Sequence, residues 1–421
     1  MTATDQPTDI RTALANLRIA AAELNRQPEA GINACLLKLA DLTEANVSKL
    51  LAANALDLAR MNPENSKYDR LLLNEERLLA IAADLRRVAR LPSPLGVTLE
   101  ANSLANGLQL RRVSVPIGVV GIVFESRPNV TFDVFALNLK AGNASVLKGS
   151  RDARDSNTAI KALIDEALGA TGLPAACYLA PAGREALQPI LEADGLVDVI
   201  IPRGSQGLID FVRANSRVPV IETGAGICHA YIDADANLEW AEAIVTNAKS
   251  RRVSVCNALD CLLIHRNNLG RLPEILAELG REHRCEVLAD EDTYKELTDN
   301  YPADLLSRAG AESYGTEFLS MKMSVRVVDD IAEAITHVER YGSRHSESII
   351  SNNEANVQRY LKEIDAAVVY ANTSTAFTDG GQFELGAEIG ISTQKLHARG
   401  PMGLAALTSY KWLVEGRGQV R

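Results

Sequence analysis

Val245 to His265 reads VTNAKSRRVSVCNALDCLLIH, the end of a helix, a polar turn and a buried strand in one short run. Upstream of it Leu238, Ala241, Ile244 and Ala248 recur at steps of three and four, the spacing of one helical face. Downstream, Cys261-Leu262-Leu263-Ile264 is the short apolar run of a buried strand. Cys256 falls in the turn between them. Lys249, Arg251 and Arg252 precede it, and positive charge near a thiol favours the thiolate, the form that attacks carbonyl and acyl carbon. A cysteine in an arbitrary chain is more often a small buried hydrophobe. Position alone makes Cys256 a candidate nucleophile, no more.

Working outward, a helix–turn–strand unit inside a chain of 421 residues implies two or three domains rather than one core. With 47% hydrophobic and 23% charged residues the composition is that of an ordinary globular protein. No apolar run approaches the length that spans a bilayer, and the polar start MTATDQPTD has no secretory character. The expected location is the cytoplasm, with no membrane contact. The cysteines at 35, 177, 228, 256, 261 and 285 form no CxxC pair, which argues against a disulfide framework and a zinc site. A net charge of −10 and an aromatic content of 5% speak against a nucleic-acid partner.

Residues 8–91 are alanine- and leucine-rich with interleaved charges, the pattern of packed helices. Asn62 to Ser66 interrupts the pattern and Leu91-Pro92-Ser93-Pro94 ends it. From Gly96 to Val115 apolar and polar residues alternate around Asn106-Gly107, a hairpin signal. Such an arm is a plausible oligomer contact. Ile117–Phe124, Ala144–Lys148, Leu196–Ile201 and Val218–Glu222 then read as strands alternating with helices, which implies a parallel sheet covered on both faces. Sheets of that kind bind ligands beyond the carboxyl ends of their strands.

Two of those ends carry chemistry. Lys148-Gly149-Ser150-Arg151 places cations after a strand, suited to a nucleotide's ribose phosphate. Pro202-Arg203-Gly204-Ser205 opens a helix whose N–H groups suit a pyrophosphate, although neither turn is a GxGxxG motif. A second α/β run spans His229–Asp233, Met323–Val328, Ser348–Ile350 and Ala367–Tyr370. After a glycine-rich stretch, Lys395, His397 and Arg399 alternate, so an extended backbone would turn all three to one side as an anion site. A solvated basic strand explains the same spacing equally well. None of the six histidines is placed by spacing as a partner for Cys256.

Five blocks are more specific than any of these patterns: VVGIVFESRPNVT at 119–131, IPRG at 201–204, Asn247-Ala248-Lys249 with VCN at 255–257, FTDGGQF at 377–383, and STQKLHARGPMG at 392–403. In that order they resemble the γ-glutamyl phosphate reductase (glutamate-5-semialdehyde dehydrogenase) family of the aldehyde dehydrogenase superfamily. The resemblance covers most of the chain. It implies an α/β, aldehyde dehydrogenase-like fold with two parallel-sheet domains and a small β-arm for oligomerisation. Residues 1–225 would form the cofactor-binding domain with the arm at about 96–116, 226–400 the catalytic domain, and 401–421 a C-terminal return and oligomerisation segment.

The same resemblance implies NADPH-dependent reduction of L-glutamyl 5-phosphate to L-glutamate 5-semialdehyde and phosphate through a cysteine thioester. That reaction is the second step of proline synthesis from glutamate. It makes Cys256 the nucleophile and Asn129 the oxyanion-hole asparagine, although the spacing from Asn129 to Lys148 is shorter here than in the superfamily. Lys148 falls where the adenosine ribose is held, with Arg151, Gly204 and Ser205 beside it as cofactor candidates. Glu317-Phe318 resembles the pair near the nicotinamide ribose. Arg127, Lys395 and Arg399 are the candidates for the substrate's phosphate and carboxylate. The expected partners are this small-molecule substrate, other copies of the chain and, transiently, glutamate 5-kinase.

Two departures stand out: Gly149-Ser150-Arg151-Asp152 replaces the usual Gly-Gly and acidic segment, and Val253 stands where proline is common. The first leaves NADPH against NADH less sharply decided. A hydrolytic, NAD-dependent sister enzyme would need Glu222 as general base, and a partner-binding scaffold would need no nucleophile at all.

Overall fold

The computed structural model describes residues 9–65 and 68–421. The chain divides into two compact units, one of Met1–Thr223, Glu384–Gly390 and Met402–Arg421, the other of Gly224–Phe383 and Ile391–Pro401. The fold is thus α/β with two parallel sheets.

Among the described residues the first unit begins with five helices: α1 (Ile10–Leu24), α2 (Glu29–Ala45), α3 (Val47–Leu58), the single turn α4 (Tyr68–Leu71) and α5 (Glu75–Arg90). The expected helical start at residue 8 and the far end of the expected break, Ser66, lie outside the described residues. Helix α5 shows why this stretch is helical. Asn74 caps it by accepting from the Arg77 N–H, Glu75 and Glu76 occupy its first turn, and Leu78, Ile81, Ala82, Leu85 and Ala89 form its buried stripe. The hairpin arm is β1 (Thr98–Ser103) and β2 (Gln109–Pro116), antiparallel, with Gly107 in the turn at φ +87°. The strand Thr408–Glu415 pairs with the other side of β2, so the arm has three strands.

The parallel sheet of this unit and its helices are built from β3 (Val119–Phe124), α6 (Asn129–Lys140), β4 (Ala144–Lys148), α7 (Arg154–Ala170), β5 (Cys177–Leu179), α8 (Leu187–Leu191), β6 (Val199–Arg203) and α9 (Gln206–Asn215). Its strands run parallel in the order β5-β4-β3-β6. The expected strand at Val218–Glu222 is reduced to one bridge, between Ile200 and Val220. Pro219 has no N–H to extend a ladder. The strand expected from Leu196 starts only at Val199.

The second unit contains β7 (Cys228–Ile232), α10 (Leu238–Ser250), β8 (Leu259–His265), β9 (Glu286–Ala289), β10 (Leu306–Arg308), β11 (Lys322–Val328), β12 (Ser346–Ile350) and β13 (Val368–Ala371). These seven strands are all parallel, in the order β10-β9-β11-β8-β7-β12-β13. Strands β7 and β12, and β8 as far as Ile264, are buried, as a sheet sandwiched by helices requires. Among the described residues no helix is long and apolar enough to cross a membrane.

Candidate active site

Helix α10 ends at Ser250, and the chain crosses to β8 through a turn closed by the Ala258 N–H donating to the Val255 carbonyl. Cys256 occupies that turn. Of the six cysteines it alone is not buried. Its main chain is held from several sides. The Cys228 thiol, at the start of β7, donates to the Cys256 carbonyl at 3.2 Å. A Cβ added at Gly226 would lie 1.7 Å from that same oxygen, so only glycine admits this approach. Asn257 donates from its amide to the Ala376 and Thr378 carbonyls at 3.3 and 2.9 Å, and Thr375 Oγ1 donates to the Asn257 carbonyl at 2.8 Å.

The residue spacing could not reveal is His345. Its Nε2 lies 3.2 Å from the Cys256 Sγ. His345 immediately precedes β12, Cys228 opens β7, and Cys256 lies three residues before β8. Since β8, β7 and β12 are adjacent and parallel, their amino ends bring all three together. In this sheet the cluster thus lies at the amino ends of the strands. The His345 ring is fully buried, and burial pulls its pKa down to about 4. It is therefore neutral at pH 7. Its Nδ1 lies 2.8 Å from Ser346 Oγ, which is 2.6 Å from Thr378 Oγ1, itself 2.8 Å from the Tyr370 hydroxyl. The only sequence signal was the polar run Ser343-Arg344-His345-Ser346 leading into an apolar strand.

Lys249 does not serve the thiol as the sequence suggested. It is fully buried, donates to the Leu259 carbonyl at 2.8 Å and lies 3.7 Å from the Asp260 carboxylate. Arg251 and Arg252 are exposed. Glu317 accepts from the Gly226 N–H at 3.0 Å, and the Phe318 N–H donates to Asp260 at 3.1 Å. That pair thus braces the backbone behind Cys256.

Lys395 and Arg399 meet, though not as an extended strand: residues 394–397 bend, Ala398 has φ +55°, and both cations converge on Asp365 at 3.0 and 2.8 Å. The pair holds the Asp365 carboxyl below its usual range, Lys395 acting most strongly. Arg399 keeps its buried Nε and Nη2 without a hydrogen-bond partner among the described residues.

A second buried cluster in this unit joins His229, Cys261 and His337, a donor set that suits a metal by type. Its hydrogen bonding argues otherwise. The Arg326 guanidinium can only donate, at 3.2 Å, to His337 Nδ1, so the neutral ring carries its proton on Nε2, which faces the Cys261 Sγ at 3.6 Å. His229 Nδ1 is paired with Glu347 at 3.1 Å.

In the first unit, Lys148 ends β4. Its ammonium donates to the Gly149 and Ala182 carbonyls at 2.9 and 3.2 Å, leaving one N–H, and burial lowers its pKa. The Ser150 hydroxyl is buried with no partner among the described residues. Arg151 is exposed, 3.5 Å from the Glu185 carboxylate. The Gly204-Ser205 turn departs from expectation: the Glu125 carboxylate already accepts from the Ser205 N–H and hydroxyl, both at 3.0 Å. The amino end of α9 therefore holds an internal anion. Asn129 opens α6 and donates to Asp133 at 3.1 Å. Glu222 is salt-bridged to Arg213 at 3.3 Å.

A sheet of this kind, headed by a half-exposed cysteine in a chain that carries a second α/β unit, defines a class. The Aldehyde dehydrogenase family model matches residues 2–294, and the chain belongs to that family. A curated relative from Chlorobium luteolum named gamma-glutamyl phosphate reductase is 58% identical over 391 residues, 93% of each chain. One of the same name from Bacteroides thetaiotaomicron is 53% identical over 98% of this chain and 99% of its own. The crystal structure of gamma-glutamyl phosphate reductase from Thermotoga maritima superposes with a TM-score of 0.93 at 39% identity, over 98% of this chain and 100% of that one. An acetylating aldehyde dehydrogenase from Geobacillus thermoglucosidasius, 17% identical with a TM-score of 0.69 over 98% of this chain and 97% of its own, shares the fold. Within its family the chain falls with the γ-glutamyl phosphate reductases, and it is an oxidoreductase.

Proposed function

We propose that the chain reduces L-glutamyl 5-phosphate to L-glutamate 5-semialdehyde and phosphate with NADPH, by way of a thioester on Cys256, as the second step of proline synthesis from glutamate. The observation that carries this is the position of Cys256: the one cysteine not buried, its carbonyl clamped and its sulfur beside a neutral imidazole. The thiolate attacks the acyl carbon, the C–O bond to phosphate breaks, and phosphate leaves with the electron pair. Asn129 and the Cys256 N–H are the proposed oxyanion donors; removing one such donor typically costs ~3 kcal/mol. Lys395, Arg399 and Arg127 bind the substrate's anionic groups, and the unpartnered Arg399 N–H groups support that role.

The cofactor-side residues fit a ribose phosphate: Lys148 keeps a free N–H, the buried Ser150 hydroxyl has no partner among the described residues, and Arg151 is exposed beside them. NADPH, when bound, supplies the hydride that takes the thioester to the aldehyde level. Glu317 and Phe318 would hold its nicotinamide ribose, and Gly204 and Ser205 would hold its pyrophosphate once Glu125 gives way. The reaction needs no attacking water, and the Arg213 partner of Glu222 supports a structural role for that carboxylate over a general base. Exposed Tyr410, Trp412 and Val414 on the arm support assembly with further copies of the chain.

The test runs in reverse, with glutamate 5-semialdehyde, phosphate and NADP. Cys256→Ser should lower kcat by at least ~10³-fold while the protein stays folded. Parental turnover in that variant would sink the covalent route.

A further inference from the structure

The contact between Cys256 and His345 poses a problem of charge. A thiol can pass its proton to an imidazole only if the imidazolium that results is tolerated. His345 is enclosed on all sides, and burial alone sets its preference for the neutral ring. A simple thiolate–imidazolium pair is disfavoured there. Three hydroxyls in a line behind the ring offer another outlet.

We propose that the Cys256 thiol proton leaves through His345 and then along Ser346, Thr378 and Tyr370, so that the imidazole exchanges one tautomer for the other and never carries net charge. The proposal rests on the reading of Cys256 as the nucleophile. In the resting state His345 Nδ1–H donates to Ser346 Oγ at 2.8 Å and the bare Nε2 accepts from the thiol at 3.2 Å. As the S–H bond breaks, an Nε2–H bond forms and the Nδ1 proton passes to Ser346. The Ser346 proton passes to Thr378 across 2.6 Å, and the Thr378 proton to Tyr370 across 2.8 Å. The phenol's own proton passes to solvent, for Tyr370 is only half-buried. One proton enters the line at sulfur and one leaves at the phenol. The sulfur keeps the electron pair and forms the bond to the acyl carbon. The departing phosphate takes its proton from solvent. When the aldehyde is released the C–S electrons return to sulfur, and the line runs backwards to restore the thiol.

Every hydroxyl in the line lies within hydrogen-bond distance of both its neighbours, and such a chain reverses as a unit. Ser346 and Thr378 are fully buried, so bulk water does not compete for their hydroxyls. The titratable groups facing the line are few. The Cys228 thiol lies 3.8 Å from Nδ1 but donates to the Cys256 carbonyl, and burial pushes its pKa well up. The Tyr370 phenol is pushed up to about 12, again by burial. Glu347, next on β12, is turned to His229, and Asp260 on β8 and Lys249 on α10 face each other. Among the described residues no charge acts directly on His345. Ser346, Thr378 and Tyr370 are positioning residues; His345 touches the reacting sulfur and is catalytic.

The test reads the thiol alone. Iodoacetamide alkylation of Cys256, followed by mass spectrometry across pH 5 to 10, needs neither acyl phosphate nor nicotinamide. It therefore stands or falls apart from the choice of substrate above. His345→Gln and Thr378→Val should each move the midpoint of the rate–pH curve up by about one unit, and Tyr370→Phe by less, in the same direction. A second arm incubates the cofactor-free protein with acetyl phosphate at pH 7 and follows acetylation of Cys256. Thr378→Val should slow it by ~10-fold or more. A role in packing alone would change the alkylation plateau and leave the midpoint in place. Unmoved midpoints in the folded variants would overturn the proposal. Tyr370→Phe, which removes one half-buried oxygen, decides the matter if Thr378→Val does not fold.

Discussion

The two units solve opposite problems with the same kind of sheet. In the first, the candidate groups follow the strands: Lys148 ends β4, Glu125 follows β3, and Gly204-Ser205 follows β6 into a helix. In the second, they precede them: Cys256 before β8, Cys228 heading β7, His345 before β12. The carboxyl ends of parallel strands face helix amino ends, where N–H groups await anions. The amino ends offer no such field. They suit a thiol whose proton is to be taken by a neutral ring. The units also divide the histidines, for all six belong to the second.

That division predicts the largest contrast. His345 and His337 are held neutral by burial, with pKa values of about 4 and 3. In the unfolded chain both protonate near 6.5. Their contribution to stability is therefore complete above pH 6.5 and is lost as the pH falls from there towards 4. Each histidine removes ~1.4 kcal/mol per pH unit over that window. Glu347 and Asp260, whose carboxyls burial raises, offset part of the loss. The two tryptophans report the units separately, Trp240 the second and Trp412 the first. In single-tryptophan variants, His345→Gln and His337→Gln should each raise the ratio of the urea midpoint at pH 4.5 to that at pH 7 when read at Trp240, and leave the ratio read at Trp412 unchanged. Equal changes at both tryptophans would erase the contrast.

Next comes Gly226→Ala. The added carbon would press on the Cys256 carbonyl, displacing the proposed nucleophile by a fraction of an ångström. A drop in kcat of ~10²-fold with little change in KM for the cofactor is expected, read by steady-state kinetics. The smallest effect belongs to the first unit. Lys148→Met should raise KM for NADPH by ~10-fold and leave kcat and the Cys256 alkylation rate near parental values. A collapse of alkylation in that variant would show that the units do not divide the labour this way.

The sequence made the alternation of helices and strands, the hairpin arm and the turn that carries Cys256 legible, because each depends on local periodicity or turn chemistry. The short strands β9 and β10, the second of them at the edge of the sheet, escaped because irregular segments flank them. Val218–Glu222 misled because its apolar run conceals a proline that cannot join a ladder. His345 escaped for a deeper reason. It lies 89 residues from Cys256, and only the lateral order of strands, which spacing does not encode, makes them neighbours. Lys249 misled in the same way: its nearness along the chain says nothing of the Leu259 carbonyl that captures it.

The strand Thr408–Glu415 closes against β2, about three hundred residues earlier in the chain. A ribosome therefore finishes the entire second unit's main segment, Gly224–Phe383, before the partner that completes the arm has emerged. Until then β2 presents an open edge to every neighbouring nascent chain. The surface bearing Tyr410 and Trp412 thus exists only on a polypeptide whose Gly224–Phe383 segment has already been made.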